Sequence, residues 1–242
     1  LGGQEYLCGE GSILVSSIEA PIHSRVVEAS AAAPLLSMNI RLEMSAVQEI
    51  LGREDLPETA PRARQSGLAA GEADTGLLSA CSRLLELLGT PEDIPFLAPL
   101  VQREIVYRVL KSPQGERLRA IATRGDLSNR TARAIAWLRA NYAEPLRVEE
   151  LARLARMGVS TLHHQFRALT GMSPLEFQKQ LRLQAARRRM LADGIDATSA
   201  AYEVGYQSGS QFNREYSRLF GRPPVRDVKS LRESAAGVED AA

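Results

Sequence analysis

Cysteine, histidine and aromatic residues are scarce in this sequence. Only Cys8 and Cys81 occur in 242 residues, so a disulfide framework and a four-cysteine zinc site are excluded. Of the 3 histidines, His23 is the only one before His163, which is too few for a metal site built from several histidines. We therefore predict that the chain holds no metal and no cofactor.

Long hydrophobic runs are also missing. The longest stretch without a charged residue covers residues 29–40 and contains Pro34, whereas a membrane-spanning helix needs about 20 apolar residues. No signal peptide is visible, and we expect a cytoplasmic protein. The chain begins at Leu1 rather than Met, from which we expect the N-terminal sequence to be incomplete. Its composition, 44% hydrophobic and 24% charged, is typical of a globular protein.

Charge is unevenly distributed along the chain. Residues 1–126 carry 12 basic and 17 acidic side chains, a net charge of −5. Residues 127–233 carry 18 basic and 10 acidic side chains, a net charge of +8. A basic segment of this size favours a polyanionic partner, although charge alone does not distinguish DNA from RNA or anionic lipid.

The first part of the chain predicts short β-strands. Residues 11–18 are rich in isoleucine and valine, residues 24–28 include Val26 and Val27, and residues 36–42 alternate apolar and polar positions. Two or three short strands do not form a stable sheet by themselves, which again suggests missing N-terminal sequence. Residues 54–72 are rich in proline, arginine and glycine and are predicted to form an exposed loop.

Two apolar stripes with helical spacing follow this loop. One lies within residues 77–88 and the other within residues 97–110. Core packing within one subunit explains such stripes, and two adjacent stripes beside a partial sheet also offer a dimer interface. Both interpretations stay open at this point.

A change in composition predicts two domains. Residues 123–129 are polar, contain Gly125 and separate the acidic segment from the basic one, so we interpret them as a linker. We assign residues 1–122 to an N-terminal domain, residues 130–233 to an all-helical domain and residues 234–242 to a disordered tail. The predicted fold class is therefore α+β, with a partial sheet and helices followed by helices alone.

The helical domain contains an internal repeat with an offset of fifty residues. The offset aligns Leu162 with Phe212, Phe166 with Tyr216, Leu169 with Leu219, Gly171 with Gly221 and Pro174 with Pro224. A short helix and a tight turn precede each copy, and residues 174–191 predict a longer helix between the copies. This pattern predicts two helix-turn-helix units joined by a long helix.

The second helix of each unit has an outward face that is polar and not acidic. At 100° per residue, the aligned apolar residues share one face, and polar side chains occupy the opposite one. The DNA major groove accepts one α-helix and offers hydrogen-bond donors and acceptors on the base edges. We therefore predict that these faces read DNA in adjacent major grooves. The predicted contact residues are Ser160, His163, His164, Arg167, Ser210, Gln211, Asn213 and Arg214.

A solvated helix face explains any one of these residues equally well. The repeat and the charge of its segment favour DNA over that alternative. The run from Arg187 to Arg189 is more typical of packing and DNA-backbone contact than of base reading.

Residues 127–233 resemble the DNA-binding domain of the AraC/XylS family of bacterial transcription regulators. The motifs that carry this resemblance are Val148-Glu149-Glu150-Leu151-Ala152, Thr170-Gly171, Ser173-Pro174, Leu181-Arg182-Leu183, Ala186-Arg187, Val204-Gly205-Tyr206, Ser210-Gln211-Phe212, Phe220-Gly221 and Pro224. The preceding part is similar to the N-terminal domain of one subgroup of this family, on the basis of Pro21, Pro99-Leu100, Gly115-Glu116-Arg117-Leu118 and Ala134-Ile135-Ala136-Trp137-Leu138.

This resemblance implies a cupin-like β-barrel sensor with dimerising helices, followed by the two helix-turn-helix units. It also implies double-stranded promoter DNA as a partner, activation or repression of transcription, and a small-molecule effector whose identity the sequence does not give. RNA polymerase and a second copy of the chain are further candidate partners. The chain departs from the family pattern at Gly158, where serine is common, and at Gly209, where close relatives often have proline.

Two other classes of function compete with DNA reading. A cupin-type enzyme needs a metal or catalytic site, but no phosphate-binding loop, dinucleotide fingerprint or nucleophile elbow is present, and His163 and His164 lie about 100° apart on one helix. A small-molecule-binding protein whose helices contact protein or RNA is the second alternative. RNA readers usually show aromatic platforms, whereas only 5% of residues here are aromatic. Cys8 is either a reactive thiol or, like Cys81, a small buried residue.

Overall fold

The computed structural model describes residues 5–19, 21, 24–30, 32–53, 67–123 and 127–239. Within these ranges two strands and eleven α-helices occur, in the order β1 (Ser12–Ser16), α1 (Met44–Leu51), β2 (Leu68–Glu72), α2 (Thr75–Glu86), α3 (Ile94–Lys111), α4 (Glu116–Ala122), α5 (Leu127–Ala140), α6 (Val148–Leu154), α7 (Val159–Thr170), α8 (Pro174–Ala192), α9 (Ala197–Glu203), α10 (Gly209–Phe220) and α11 (Pro224–Glu239). In the part of the chain so described, no helix is long and apolar enough to cross a membrane.

The described residues contain a two-stranded antiparallel sheet and no barrel. Strand β1 pairs with β2, with Ser12 opposite Glu72 and Ser16 opposite Leu68. The predicted strand within residues 11–18 is confirmed, but the strands predicted at residues 24–28 and 36–42 are wrong because both segments are irregular. Val27 and Leu36 are exposed there, so their apolar side chains do not form one face of a buried sheet.

Strand β2 lies in the segment for which an exposed loop was predicted. Its sequence, Leu-Ala-Ala-Gly-Glu, contains no β-branched or aromatic residue and therefore has low intrinsic β-propensity. Residues 54–66 of the predicted loop lie outside the described residues. The strand exists because β1, more than fifty residues earlier in the chain, provides its hydrogen-bond partners.

The helices α1 to α4 pack around an apolar core. Val47, Ile105 and Leu110 are almost completely buried there, and Val15 of β1 joins the same cluster. Helix α2 begins at an N-cap in which Asp74 accepts a hydrogen bond from the backbone N–H of Leu77 at 2.7 Å. The two predicted apolar stripes therefore contribute to a core, although each also leaves exposed leucines.

Spatial contacts divide the chain into two compact units. The first comprises Leu1–Ala132 and His164–Gly171, and the second comprises Arg133–His163 and Met172–Ala242. Helix α5 begins at Leu127, inside the predicted linker of residues 123–129, of which residues 124–126 lie outside the described residues. Helix α11 extends to Glu239, so the segment predicted as a disordered tail is helical up to that residue.

The second unit has its own core, to which the helices α8, α9, α10 and α11 contribute. It is formed by aliphatic side chains of α8 and α9 around the rings of Tyr206, Phe212 and Tyr216. The ring of Phe212 lies between those of Tyr206 and Tyr216, with centroid distances of 5.3 and 5.5 Å. These contacts fix the inward face of α10 and thereby determine which of its residues face outward.

Candidate nucleic-acid interface

A tight turn joins α6 to α7. The backbone N–H of Met157 donates to the carbonyl oxygen of Ala152 at 3.0 Å, and Arg156 adopts a left-handed conformation with a φ of 52°. This is the helix-ending geometry that usually contains glycine. Helix α7 then begins, with a hydrogen bond from the N–H of Leu162 to the carbonyl oxygen of Gly158 at 2.9 Å.

The turn between α9 and α10 repeats this geometry. The N–H of Tyr206 donates to the carbonyl oxygen of Ala201 at 3.0 Å, and Gly205 takes the left-handed position with a φ of 91°. A Cβ atom on Gly205 would lie 2.1 Å from the carbonyl oxygen of Ala143. Glycine is therefore required at this turn both by its backbone conformation and by the close approach of another segment.

The two copies differ by one residue within the turn. The equivalent hydrogen bonds before the turn, at Met157 and Tyr206, are 49 residues apart, whereas those after it, at Leu162 and Phe212, are 50 residues apart. The offset of fifty predicted for the second helices is therefore confirmed, and the second turn contains one additional residue.

Both second helices also end alike. Gly171 and Gly221 have left-handed φ values of 71° and 76°, and each N–H bonds to the carbonyl oxygen four residues earlier, at 2.8 and 2.9 Å. Glycine is favoured at such a helix end because it has no Cβ to clash. Helix α8 then begins at a capping box in which Ser173 and Glu176 each bond to the backbone of the other.

The predicted inward faces are largely buried. Leu162, Phe166 and Leu169 are at most 1% exposed, and so are Phe212 and Tyr216. Leu219 is only half-buried, which makes the second inward face shorter than predicted.

All eight predicted contact residues lie exposed on α7 and α10. They are Ser160, His163, His164, Arg167, Ser210, Gln211, Asn213 and Arg214. Within the described part of the chain, the side chains of all of them except Gln211 form no hydrogen bond or ion pair. The outward faces are thus available for an external partner.

Arg182 of α8 connects the two helix-turn-helix segments within the second unit. Its guanidinium donates to the carbonyl oxygens of Tyr142, Ala143 and Glu144, which precede α6, and to that of Gly205 in the second turn. Gln178, one turn earlier, donates to the carbonyl oxygens of Tyr142 and Glu144. Partial burial lowers the pKa of Arg182, yet the hydrogen bonds to these carbonyl oxygens offset the desolvation of the charged guanidinium. Sequence reasoning gave Arg182 only as a family motif.

Glu215 is the one acidic residue of α10. Its carboxylate forms an ion pair with one side chain and accepts hydrogen bonds from two others. Lys179 of α8 lies 2.7 Å from Oε1, the hydroxyl of Tyr206 donates to Oε2 at 2.8 Å, and Gln211 donates to Oε1 at 3.2 Å. Burial raises the pKa of Glu215, but these hydrogen bonds and the charge of Lys179 outweigh it and lower the pKa. The carboxylate is therefore ionised and held in place.

A buried cluster joins α8, α10 and α11. The hydroxyl of Tyr216 donates to Oδ2 of Asp227 at 2.7 Å, and Nη2 of Arg187 donates to Oδ1 at 3.0 Å. Nε of Arg187 is also 2.8 Å from Oδ2, without forming a hydrogen bond, and the guanidinium stacks over Phe220 at 4.3 Å. Arg187 therefore stabilises the domain, whereas the neighbouring Arg188 is exposed.

No three histidine, cysteine, aspartate or glutamate side chains form a possible metal-binding group among the described residues. Cys81 is half-buried, but Cys8 is an exposed free thiol, so its interpretation as a buried small residue is wrong. His23 lies outside the described residues.

Comparison with known proteins identifies two matching family models. The model of the AraC-type transcriptional regulator N-terminus matches residues 1–117, and that of a helix-turn-helix domain matches residues 151–229. The chain is similar to the HTH-type transcriptional regulator ExsA of Pseudomonas aeruginosa, with 30% identity over 165 residues that cover 68% of this chain and 59% of ExsA. It is also similar to the HTH-type transcriptional activator RhaS of Pectobacterium carotovorum, with 32% identity over 106 residues that cover 44% of this chain and 37% of RhaS.

Among solved structures, the DNA-binding domain of AdpA, a global transcriptional factor in complex with a target DNA, is 27% identical and has a TM-score of 0.41. The match covers 43% of this chain and 94% of that domain. The chain spans less than two thirds of the length of both curated relatives. Because the two family models match its two segments in order, the chain belongs to the AraC family of transcriptional regulators.

Proposed function

We propose that this protein binds specific DNA sequences through α7 and α10 and thereby regulates transcription. The observation that carries the proposal is the outward face of each helix, where the eight predicted residues are exposed and all except Gln211 are unpaired within the described residues. Their hydroxyl, imidazole, amide and guanidinium groups match the donors and acceptors of base edges and phosphates.

The length of α8 supports the use of two adjacent grooves. Its 19 residues span about 28 Å at a rise of about 1.5 Å per residue. Successive major-groove faces of B-DNA recur about every 34–36 Å. A helix of this length, with a reading unit at each end, suits that spacing.

We further propose that residues 1–122 form the sensor and dimerisation domain, that residues 123–129 form the linker and that residues 130–233 form the DNA-binding domain. In this proposal β1 and β2 belong to the cupin-like barrel that the family resemblance implies. The small-molecule effector and a contact with RNA polymerase are further parts of the same proposal, and no enzymatic step is required for it.

The apolar surface of α2 and α3 supports a homodimer. Leu88, which follows α2, is 70% exposed, and Phe96 and Leu100 of α3 are 74% and 53% exposed. An exposed patch of large apolar residues often marks an association surface. Sedimentation equilibrium tests this interface, because Leu100→Glu is expected to shift a dimer toward monomer, whereas a monomeric wild-type protein contradicts it.

Selection of bound duplexes from a random-sequence pool tests the DNA-binding function directly. The full chain is expected to enrich two short motifs about one helical turn apart, and its affinity is expected to fall with salt with a log–log slope of several units. Absence of an enriched motif, or a flat salt response, contradicts the proposal. Metal analysis of the purified protein tests the competing enzyme hypothesis, for which a stoichiometric metal is the expected sign.

A further inference from the structure

We propose that Glu215 determines the base preference of α10 by holding the side-chain amide of Gln211 with its carbonyl oxygen toward the DNA. The proposal rests on the proposed DNA-binding function and specifies its chemistry at one base pair. Gln211 then recognises a base that offers an amino group in the major groove, which is adenine or cytosine.

The orientation of the amide follows from the chemistry of its partner. Gln211 and Glu215 lie one turn apart on α10, and Nε2 of Gln211 is 3.2 Å from Oε1 of Glu215. An ionised carboxylate only accepts hydrogen bonds, whereas an amide presents a donor at one end and an acceptor at the other. The nitrogen must therefore face Glu215, which leaves the carbonyl oxygen for a second partner.

Glu215 is held by two groups outside α10. The ammonium of Lys179 lies 2.7 Å from Oε1, and the hydroxyl of Tyr206 donates to Oε2 at 2.8 Å. Tyr206 is only 4% exposed and packs against Phe212. Because both carboxylate oxygens are engaged from a fixed framework, the acceptor for Gln211 is present before DNA arrives.

The carbonyl oxygen of Gln211 is not used by the helix cap. Gln211 stands three residues after the N-cap Ser208, the same spacing as Ser173 and Glu176. Glu176 returns its side chain to the N-cap backbone, at 2.8 Å from the N–H of Ser173, whereas the Gln211 side chain bonds forward to Glu215. Within the described residues no donor reaches the carbonyl oxygen of Gln211, whose side chain is exposed.

Base edges distinguish the two ends of an amide. In the major groove adenine N6 and cytosine N4 are donors, whereas guanine presents N7 and O6 and thymine presents O4, all acceptors. A carbonyl oxygen that faces guanine O6 or thymine O4 would oppose two acceptors. With Glu215 in place, one of the two N–H donors of Gln211 is bound to the carboxylate. Flipping the amide so that its nitrogen faces those atoms would place its carbonyl oxygen against the carboxylate, which is also an acceptor.

The experiment uses the full chain and base analogues. Duplex selection with the wild type and with Gln211→Ala first identifies the base pair whose preference disappears in the variant. That pair is then replaced by one that lacks the exocyclic amino group, with purine in place of adenine or pyrimidinone in place of cytosine. Affinities are measured by fluorescence anisotropy.

We expect the missing amino group to weaken wild-type binding on the order of tenfold, the usual scale of one lost base contact. For Gln211→Ala the same replacement should change affinity by less than about twofold. Glu215→Gln keeps the size of the side chain but can also donate, so Gln211 is free to turn over. This variant should lose most of the amino-group dependence and tolerate guanine at the same position.

Glu203→Gln is the matched control, because it makes the same chemical change at an exposed position of α9, where Glu203 pairs with Arg189. Glu203→Gln should retain the wild-type dependence of affinity on the amino group. Gln211→Met provides a second variant, which removes the amide while preserving the length of the side chain. Equal thermal midpoints show that the variants are folded. Two results overturn the inference while leaving the DNA-binding function intact. In the first, Glu215→Gln still binds more weakly when the amino group is removed. In the second, the wild type loses affinity when guanine O6 is removed rather than an amino group. If no motif is selected at all, the proposed function itself fails, and the inference fails with it.

Discussion

Arg182 donates a hydrogen bond from Nη1 to the carbonyl oxygen of Gly205 at 2.9 Å. The same guanidinium binds three carbonyl oxygens in the segment that precedes α6. One half-buried cation on the long helix therefore joins the segment that leads into the first helix-turn-helix to the turn of the second. Arginine suits this position because its planar group presents several donors in fixed directions.

Replacement of Gly205 should destabilise the second unit. Gly205→Ala places a Cβ 2.1 Å from the carbonyl oxygen of Ala143 at a φ of 91°, so we expect the free energy of unfolding to fall by more than about 1 kcal/mol. Gly209→Ala is the control, since Gly209 begins α10 and a Cβ there meets nothing within 4 Å. Urea unfolding should show unchanged or higher stability for Gly209→Ala, and equal losses for both variants would contradict the proposed role of the turn.

The pair of buried Asp227 and half-buried Arg187 should be more important for stability than an exposed surface pair. Asp227→Ala leaves the Arg187 guanidinium and the Tyr216 hydroxyl without their acceptor, and we expect a loss of about 3–5 kcal/mol. The pair of Lys229 and Glu233 on α11 is exposed, with an N–O distance of 3.8 Å, so Lys229→Ala should change stability by less than about 0.5 kcal/mol. Thermal and urea unfolding compare the two, and a small effect of Asp227→Ala would refute the importance of the cluster.

Stability should fall at alkaline pH because of two buried tyrosines. Burial and hydrogen bonds to Glu215 and Asp227 raise the pKa values of Tyr206 and Tyr216 well above that of an exposed tyrosine. Folding therefore favours their neutral forms, and this contribution is complete below about pH 10, where unfolded tyrosine begins to ionise. Above that pH each tyrosine should lower the free energy of unfolding by about 1.4 kcal/mol per pH unit, until the phenol ionises in the folded state too.

Urea unfolding between pH 8 and 11 measures this dependence. Tyr206→Phe and Tyr216→Phe should each flatten the decline, whereas Tyr202→Phe, at an exposed position on α9, should not. A decline of the same slope in all three variants would assign the alkaline sensitivity to other groups.

Arg214 is the strongest candidate for a direct base contact on α10. Its side chain is exposed and unpaired within the described residues, and arginine commonly binds guanine O6 and N7. Arg214→Ala should weaken binding to the selected duplex by about 1–3 kcal/mol and relax the preference at one base pair. An unchanged binding isotherm would exclude this role.

Arg188→Ala provides the charge-matched comparison. Arg188 is exposed on α8, so its loss removes the same charge without removing a predicted base contact. We expect any effect on affinity to be similar for all DNA sequences and to appear in the salt slope.

The helix-turn-helix repeat could be predicted from sequence because its signals are local. Burial of Leu162, Phe166 and Phe212 follows from helical periodicity, and the glycines at the helix ends follow from the left-handed conformation required there. The exposure of the eight outward residues is the geometric complement of this pattern.

Other features depend on residues that are distant in the chain. Strand β2 has weak intrinsic propensity and forms only because β1 pairs with it. Arg182 and Gly205, Lys179 and Glu215, and Arg187 and Asp227 are 23 to 40 residues apart, so no local pattern connects them. The sequence alone determined which helices have a polar outward face, because periodicity is a property of neighbouring residues. Only the tertiary structure decided which charged side chains hold those helices in place and how the side-chain amide of Gln211 is oriented. These contacts exist only after the elements have packed together.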